Sequence, residues 1–88
     1  MKRNHESIGR YIRQCREKSG RTQAEIAKAL GYSTAQFVSN WERGLSVPPF
    51  AALPRLNSLI RLNVKNFINL YVAETGRMIR SEMTKARR

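Results

Sequence analysis

Apolar residues along the chain recur mostly at intervals of three and four, and nowhere do they alternate long enough to specify a strand. Ile8, Tyr11, Ile12 and Cys15 fall at i, i+3, i+4 and i+7, which predicts a first helix opening at Ser7, a good capping residue, and stopping at Gly20. Arg10, Arg13 and Lys18 face away from that stripe. The string TQAE is a capping box, with Thr22 as N-cap and Glu25 three residues on, so a short second helix follows with Ile26, Ala27 and Leu30 inward and Gly31 at its end. AQFVSNWER then reads as a third helix running to Gly44. It buries Phe37, Val38 and Trp41 and holds Gln36, Ser39, Asn40 and Arg43 on another face. LSVPP forces an extended segment, because paired prolines cannot continue a helix from its interior. A fourth helix from about Phe50 to Ile60 presents Leu53, Leu56, Leu59 and Ile60, with Pro54 near its first turn. Asn63 is a cap for a fifth, whose apolar positions Val64, Phe67, Ile68, Tyr71, Val72, Met78, Ile79 and Met83 keep helical spacing for about five turns, with Gly76 as a weak point.

Charge narrows the partner. The 88 residues allow one small domain, and it carries a formal net charge of +11 from 17 Lys and Arg against 6 Glu, with no Asp. That balance points to a polyanion: DNA, RNA or an acidic membrane surface. The excess of Arg over Lys favours bidentate phosphate contact and so nucleic acid. No apolar run approaches the roughly 20 residues needed to cross a bilayer, and there is no signal-peptide h-region. Cys15 is expected to be a small buried side chain in a reducing compartment, and the single His5 has no metal-spaced partner. Without Asp there is no Ser/His/Asp grouping, and no Gly-rich phosphate loop is present, so neither an enzyme, a metal, a cofactor nor a small-molecule substrate is expected. The expected location is the cytoplasm.

Two short helices joined through Gly31, the second with a polar exposed face, are the helix-turn-helix arrangement, whose second helix fits the major groove of double-stranded DNA. IGRYIRQCREKSGRTQAEIAKALGYS followed by VSNWERGLSVPP resembles the lambdoid repressor and Cro class, the XRE family, over about residues 7–62. The resemblance implies an all-α fold, a five-helix lambda-repressor-like DNA-binding domain with an extended C-terminal helix. It implies a recognition helix from residue 34 or 35 to 43, with Ala35, Gln36, Ser39 and Asn40 facing bases and Gln23, Thr34 and Arg43 at the DNA backbone. Arg16 and Glu42 fall where the family commonly has an ion pair tying helix 1 to the end of helix 3. Two departures stand out. There is one residue more than usual between Gly31 and Val38, so either Thr34 is the N-cap or Ser33 caps with Gln36 closing a capping box. The loop LSVPPF carries no basic residue to reach a minor groove.

These readings divide the chain into a flexible basic arm (1–6), the helix-turn-helix domain (7–62) and a C-terminal helix with a basic tail (63–88). Such a domain needs only about the first two or three turns of its fifth helix to close the core. The apolar pattern that continues beyond is expected to meet a second copy, through Tyr71, Val72, Thr75, Met78 and Ile79, while Arg77, Arg80, Lys85, Arg87 and Arg88 keep the helix ends apart. The alternative is a fifth helix that folds back over its own domain or frays beyond Gly76. The expected function is a sequence-specific transcriptional regulator, a small autorepressor binding a palindromic operator as a homodimer. The competing functions are an antitoxin-type protein-interaction module and a charge-driven nucleoid or RNA-binding protein.

Overall fold

The computed structural model describes residues 4–85 as five α-helices and one 3-10 turn, with no strand among them. The helices are α1 (Glu6–Lys18), α2 (Gln23–Ala29), α3 (Gln36–Glu42), α4 (Leu53–Ile60) and α5 (Val64–Lys85), with the 3-10 turn at Phe50–Ala52 leading into α4. The core is built from Ile8 and Ile12 of α1, Ile26 and Ala27 of α2, Val38 and Trp41 of α3, Leu56 and Ile60 of α4, and Phe67 of α5. Every helix therefore contributes at least one residue of its predicted apolar face. Tyr11, Cys15, Leu30, Leu53, Leu59 and Tyr71 pack around this centre half-buried.

Local chemistry sets most helix ends. The Thr22 hydroxyl accepts the N–H of Glu25 at 3.1 Å, and the Glu25 carboxylate accepts the N–H of Thr22 at 2.8 Å, which completes the capping box. The bond from the Thr22 backbone, and then that with its side chain, hold the Glu25 carboxyl below its ordinary value. Asn63 caps α5 by accepting the N–H of Asn66 at 3.0 Å. Pro54 sits in the first turn of α4, where a missing N–H costs nothing.

Tertiary contacts set the others. Ser7 does not cap α1: the N-cap falls two residues earlier, at His5, with no side-chain capping bond from it. Instead the His5 N–H donates to the Gly44 carbonyl at 3.1 Å, and the Ile8 N–H donates to the Glu74 carboxylate of α5 at 2.8 Å. The start of α1 is thus pinned between the end of α3 and the middle of α5. Lys2 and Arg3 of the expected basic arm lie outside the described residues, as do Arg87 and Arg88.

Two glycines allow α1 and α3 to meet. A Cβ on Gly9 would collide with the carbonyl oxygen of Trp41 and stand 2.7 Å from that of Glu42. Gly44 takes φ +78 at the end of α3, and a Cβ there would lie 2.8 Å from the Glu6 backbone.

α5 runs unbroken through Gly76 for 22 residues, a length of about 33 Å. Its first half covers the domain through Phe67, Leu70, Tyr71 and Glu74. Val64, Ile68, Val72, Ile79 and Met83 are nevertheless exposed along it.

Candidate nucleic-acid interface

α2 and α3 are joined by a tight turn in which Gly31 takes φ +85 and the Tyr32 N–H returns to the Ala27 carbonyl at 2.9 Å. The Tyr32 ring stands between Phe37 and Trp41, with centroids 5.0 and 5.9 Å away, and so fixes the start of α3 against its buried side. α3 begins at Gln36, with Ala35 as N-cap; neither Thr34 nor Ser33 occupies that position. The Thr34 hydroxyl still helps, since it accepts the Gln36 N–H at 3.2 Å from one residue further out. The extra residue of the turn is absorbed by this local hydrogen-bonded bend, which delays the helix by about one position.

Val38 and Trp41 point inward, and at about 100° per residue the opposite face belongs to Gln36, Asn40 and Arg43. These three side chains converge. Asn40 Oδ1 accepts from Gln36 Nε2 at 2.8 Å and from Arg43 Nη2 at 2.8 Å. Both lone pairs of that oxygen are thereby used, which leaves the Asn40 amide N–H groups, the Gln36 carbonyl oxygen and the remaining guanidinium N–H groups for an incoming partner. Ser39 is half-buried on one flank of this face. Ala35 is also half-buried and packs against the core, while Thr34 is exposed beside it.

Phe37, expected in the core, is instead 54% exposed. It lies on the shoulder between the buried and polar faces. The elements that cover α3 bury Val38 and Trp41, whereas Phe37 stays half-exposed with the Tyr32 ring against it.

The face is braced from behind. Arg16 of α1 grips Glu42 with two hydrogen bonds, Nε to Oε2 at 2.5 Å and Nη2 to Oε1 at 3.0 Å. The bond to Glu42 raises the Arg16 pKa further above its already high ordinary value. Gln23 Nε2 also donates to Glu42 Oε1 at 2.9 Å, so α1, α2 and the end of α3 share one carboxylate. The Arg16–Glu42 pair is where the family resemblance puts it. The sequence gives no sign of the Gln23 contact, which ties its amide inward by one of its two N–H groups. Downstream, the Leu45 N–H closes on the Asn40 carbonyl at 3.0 Å and Pro48 is buried, so the loop after α3 is held by packing.

The Glu74 carboxylate, 1% exposed, was missed altogether, because its acidic letter sits within an otherwise amphipathic helix and nothing local marks it as inward. Among the described residues, no His, Cys, Asp and Glu cluster is placed to hold a metal ion, and no helix is long and apolar enough to cross a membrane.

A family model described as a helix-turn-helix domain matches residues 7–64. No curated protein and no solved structure matches the chain significantly.

Proposed function

Because the chain belongs to the helix-turn-helix domain family, a DNA-binding family, we propose that it is a sequence-specific transcriptional regulator that lays α3 in the major groove, and that it acts as a small repressor. The observation that carries this reading is the converged triad Gln36–Asn40–Arg43 on the outer face of α3, in a chain of net charge +11. The side-chain amides of Gln36 and Asn40 are the donors and acceptors that match base edges, and Arg43 with the surrounding Lys and Arg supplies attraction to phosphates that carries no sequence information. Ser39 and Ala35 would meet bases only at the margin of this face. Gln23, Thr34 and Arg43 would contact the backbone around it.

The regulator is a homodimer in this reading. An apolar groove of about 480 Å³ lies between the 3-10 turn with α4 and the first half of α5, lined by Phe50, Leu53, Val64, Ile68, Tyr71 and Val72. Its exposed stripe continues to Ile79, with Thr75 and Met78 half-buried alongside. Apolar area of this kind on a small domain favours association with a second copy, and a twofold pair matches a palindromic operator.

Selection of bound duplexes from a random pool tests the reading. A regulator enriches one palindromic sequence, and its affinity falls by orders of magnitude as salt rises. A purely charge-driven binder enriches nothing. Sedimentation at micromolar concentration tests the dimer, and a monomer both free and on the selected duplex would refute it.

A further inference from the structure

We propose that Phe37 reads a thymine methyl group at the edge of the sequence contacted by α3, an inference that rests on the base-reading role of α3 given above. Phe37 follows Gln36 by about 100° around the helix. It therefore borders the polar face and does not lie beneath it. Its ring is 54% exposed, yet it is not loose. One side packs on Tyr32 at 5.0 Å with an interplanar angle of 42°, and Tyr32 in turn meets the buried Trp41 edge-on at 5.9 Å. A ladder of three aromatic rings thus runs from the core to the rim of the recognition face, and the last ring turns its free side to solvent.

The rest of that face offers no apolar partner. Gln36, Asn40 and Arg43 present amides and a guanidinium. Ala35, to which the family resemblance gives a base-facing position, is drawn half into the core at the N-cap of α3. In the major groove the thymine 5-methyl is the apolar feature among donors and acceptors, and phenylalanine is among the side chains that meet it. A ring already held by Tyr32 loses little freedom on doing so.

The test uses the duplex selected from a random pool, with uracil placed singly at each thymine, which removes the methyl and nothing else. The wild-type protein is expected to lose about fourfold in affinity at one thymine of each half-site, the worth of one methyl group returned to water. Phe37→Ala is expected to bind the thymine duplex more weakly and to lose its discrimination at that position. Phe37→Leu retains an apolar surface and part of the discrimination, which separates methyl reading from general loss of structure. An enriched sequence with no uracil-sensitive thymine, or full thymine preference kept by Phe37→Ala, overturns the role of Phe37 and leaves base reading by α3 standing. A pool that yields no enriched sequence overturns both.

Discussion

The Glu74 carboxylate of α5 accepts the backbone N–H of Ile8, 66 positions earlier in the chain, at 2.8 Å. A helix begins with N–H groups that have no partner inside the helix, and here the partner comes from another element and not from the capping residue itself. A carboxylate in that place also meets the positive end of the α1 dipole. The other carboxylate oxygen lies 3.7 Å from His5 Nδ1, and neither atom has a hydrogen-bond partner among the described residues. Glu74→Ala is expected to leave the Ile8 N–H buried without an acceptor and to cost about 1–3 kcal/mol in denaturant unfolding. Glu74→Gln keeps a carbonyl oxygen there and should lose less. Equal losses in the two variants would show that the bond to Ile8 contributes little.

Gly9 decides how closely α1 and α3 approach. In an exposed helix, Gly→Ala gains up to about 1 kcal/mol. At this position the new methyl meets the carbonyl groups of Trp41 and Glu42, which are backbone and cannot rotate aside. Gly9→Ala is therefore expected to destabilise the protein by about 1–3 kcal/mol, as overpacked cores do. A thermal melt gives the sign, and a rise in Tm would mean that the helices separate at no cost.

The Arg16–Glu42 pair is expected to respond unequally to truncation. The Glu42 side chain is 3% exposed and that of Arg16 is 13% exposed. Arg16→Ala strands a buried carboxylate with Gln23 as its remaining partner, at a cost of about 3–5 kcal/mol. Glu42→Ala leaves Arg16 nearer to water and still donating to the Arg21 carbonyl at 2.9 Å, so it should cost less. Equilibrium unfolding of both variants measures the order, and the reverse order would refute the asymmetry.

Asn40 organises the outer face of α3, because both Gln36 and Arg43 donate to its oxygen. Asn40→Ala should lower preference for the selected operator by about 1–3 kcal/mol, and Gln36→Ala by less. The double variant should fall short of the sum of the two, since residues in one network do not act independently. Gln23→Ala should weaken all duplexes evenly, because a phosphate contact carries no sequence information. Competition binding with operator and random duplexes resolves these outcomes, and additive losses would show that the triad is not a unit.

The helices, their inward faces and the capping box of α2 are legible in the sequence because each rests on residues a few positions apart. Thr22 and Glu25 meet whenever the chain turns into a helix between them, and Ile8 and Ile12 share a face in any α-helix. The ion pair of Arg16 and Glu42 was legible through family resemblance, and Asn40 and Gln36 through the polar face they share. Tertiary structure decided what each face would meet. Phe37 has the same spacing to Trp41 that a buried residue would have, but it sits on the shoulder of α3, beside the Tyr32 ring, and stays half-exposed. Glu74 looks like an ordinary surface charge until α5 lies across the start of α1. Gly9 looks like a weak point in a helix until the backbone of α3 passes over it. Helical periodicity is a property of a few consecutive residues, whereas the neighbour that covers a side chain comes from a distant part of the chain, so the sequence determined the faces and the packing determined their partners.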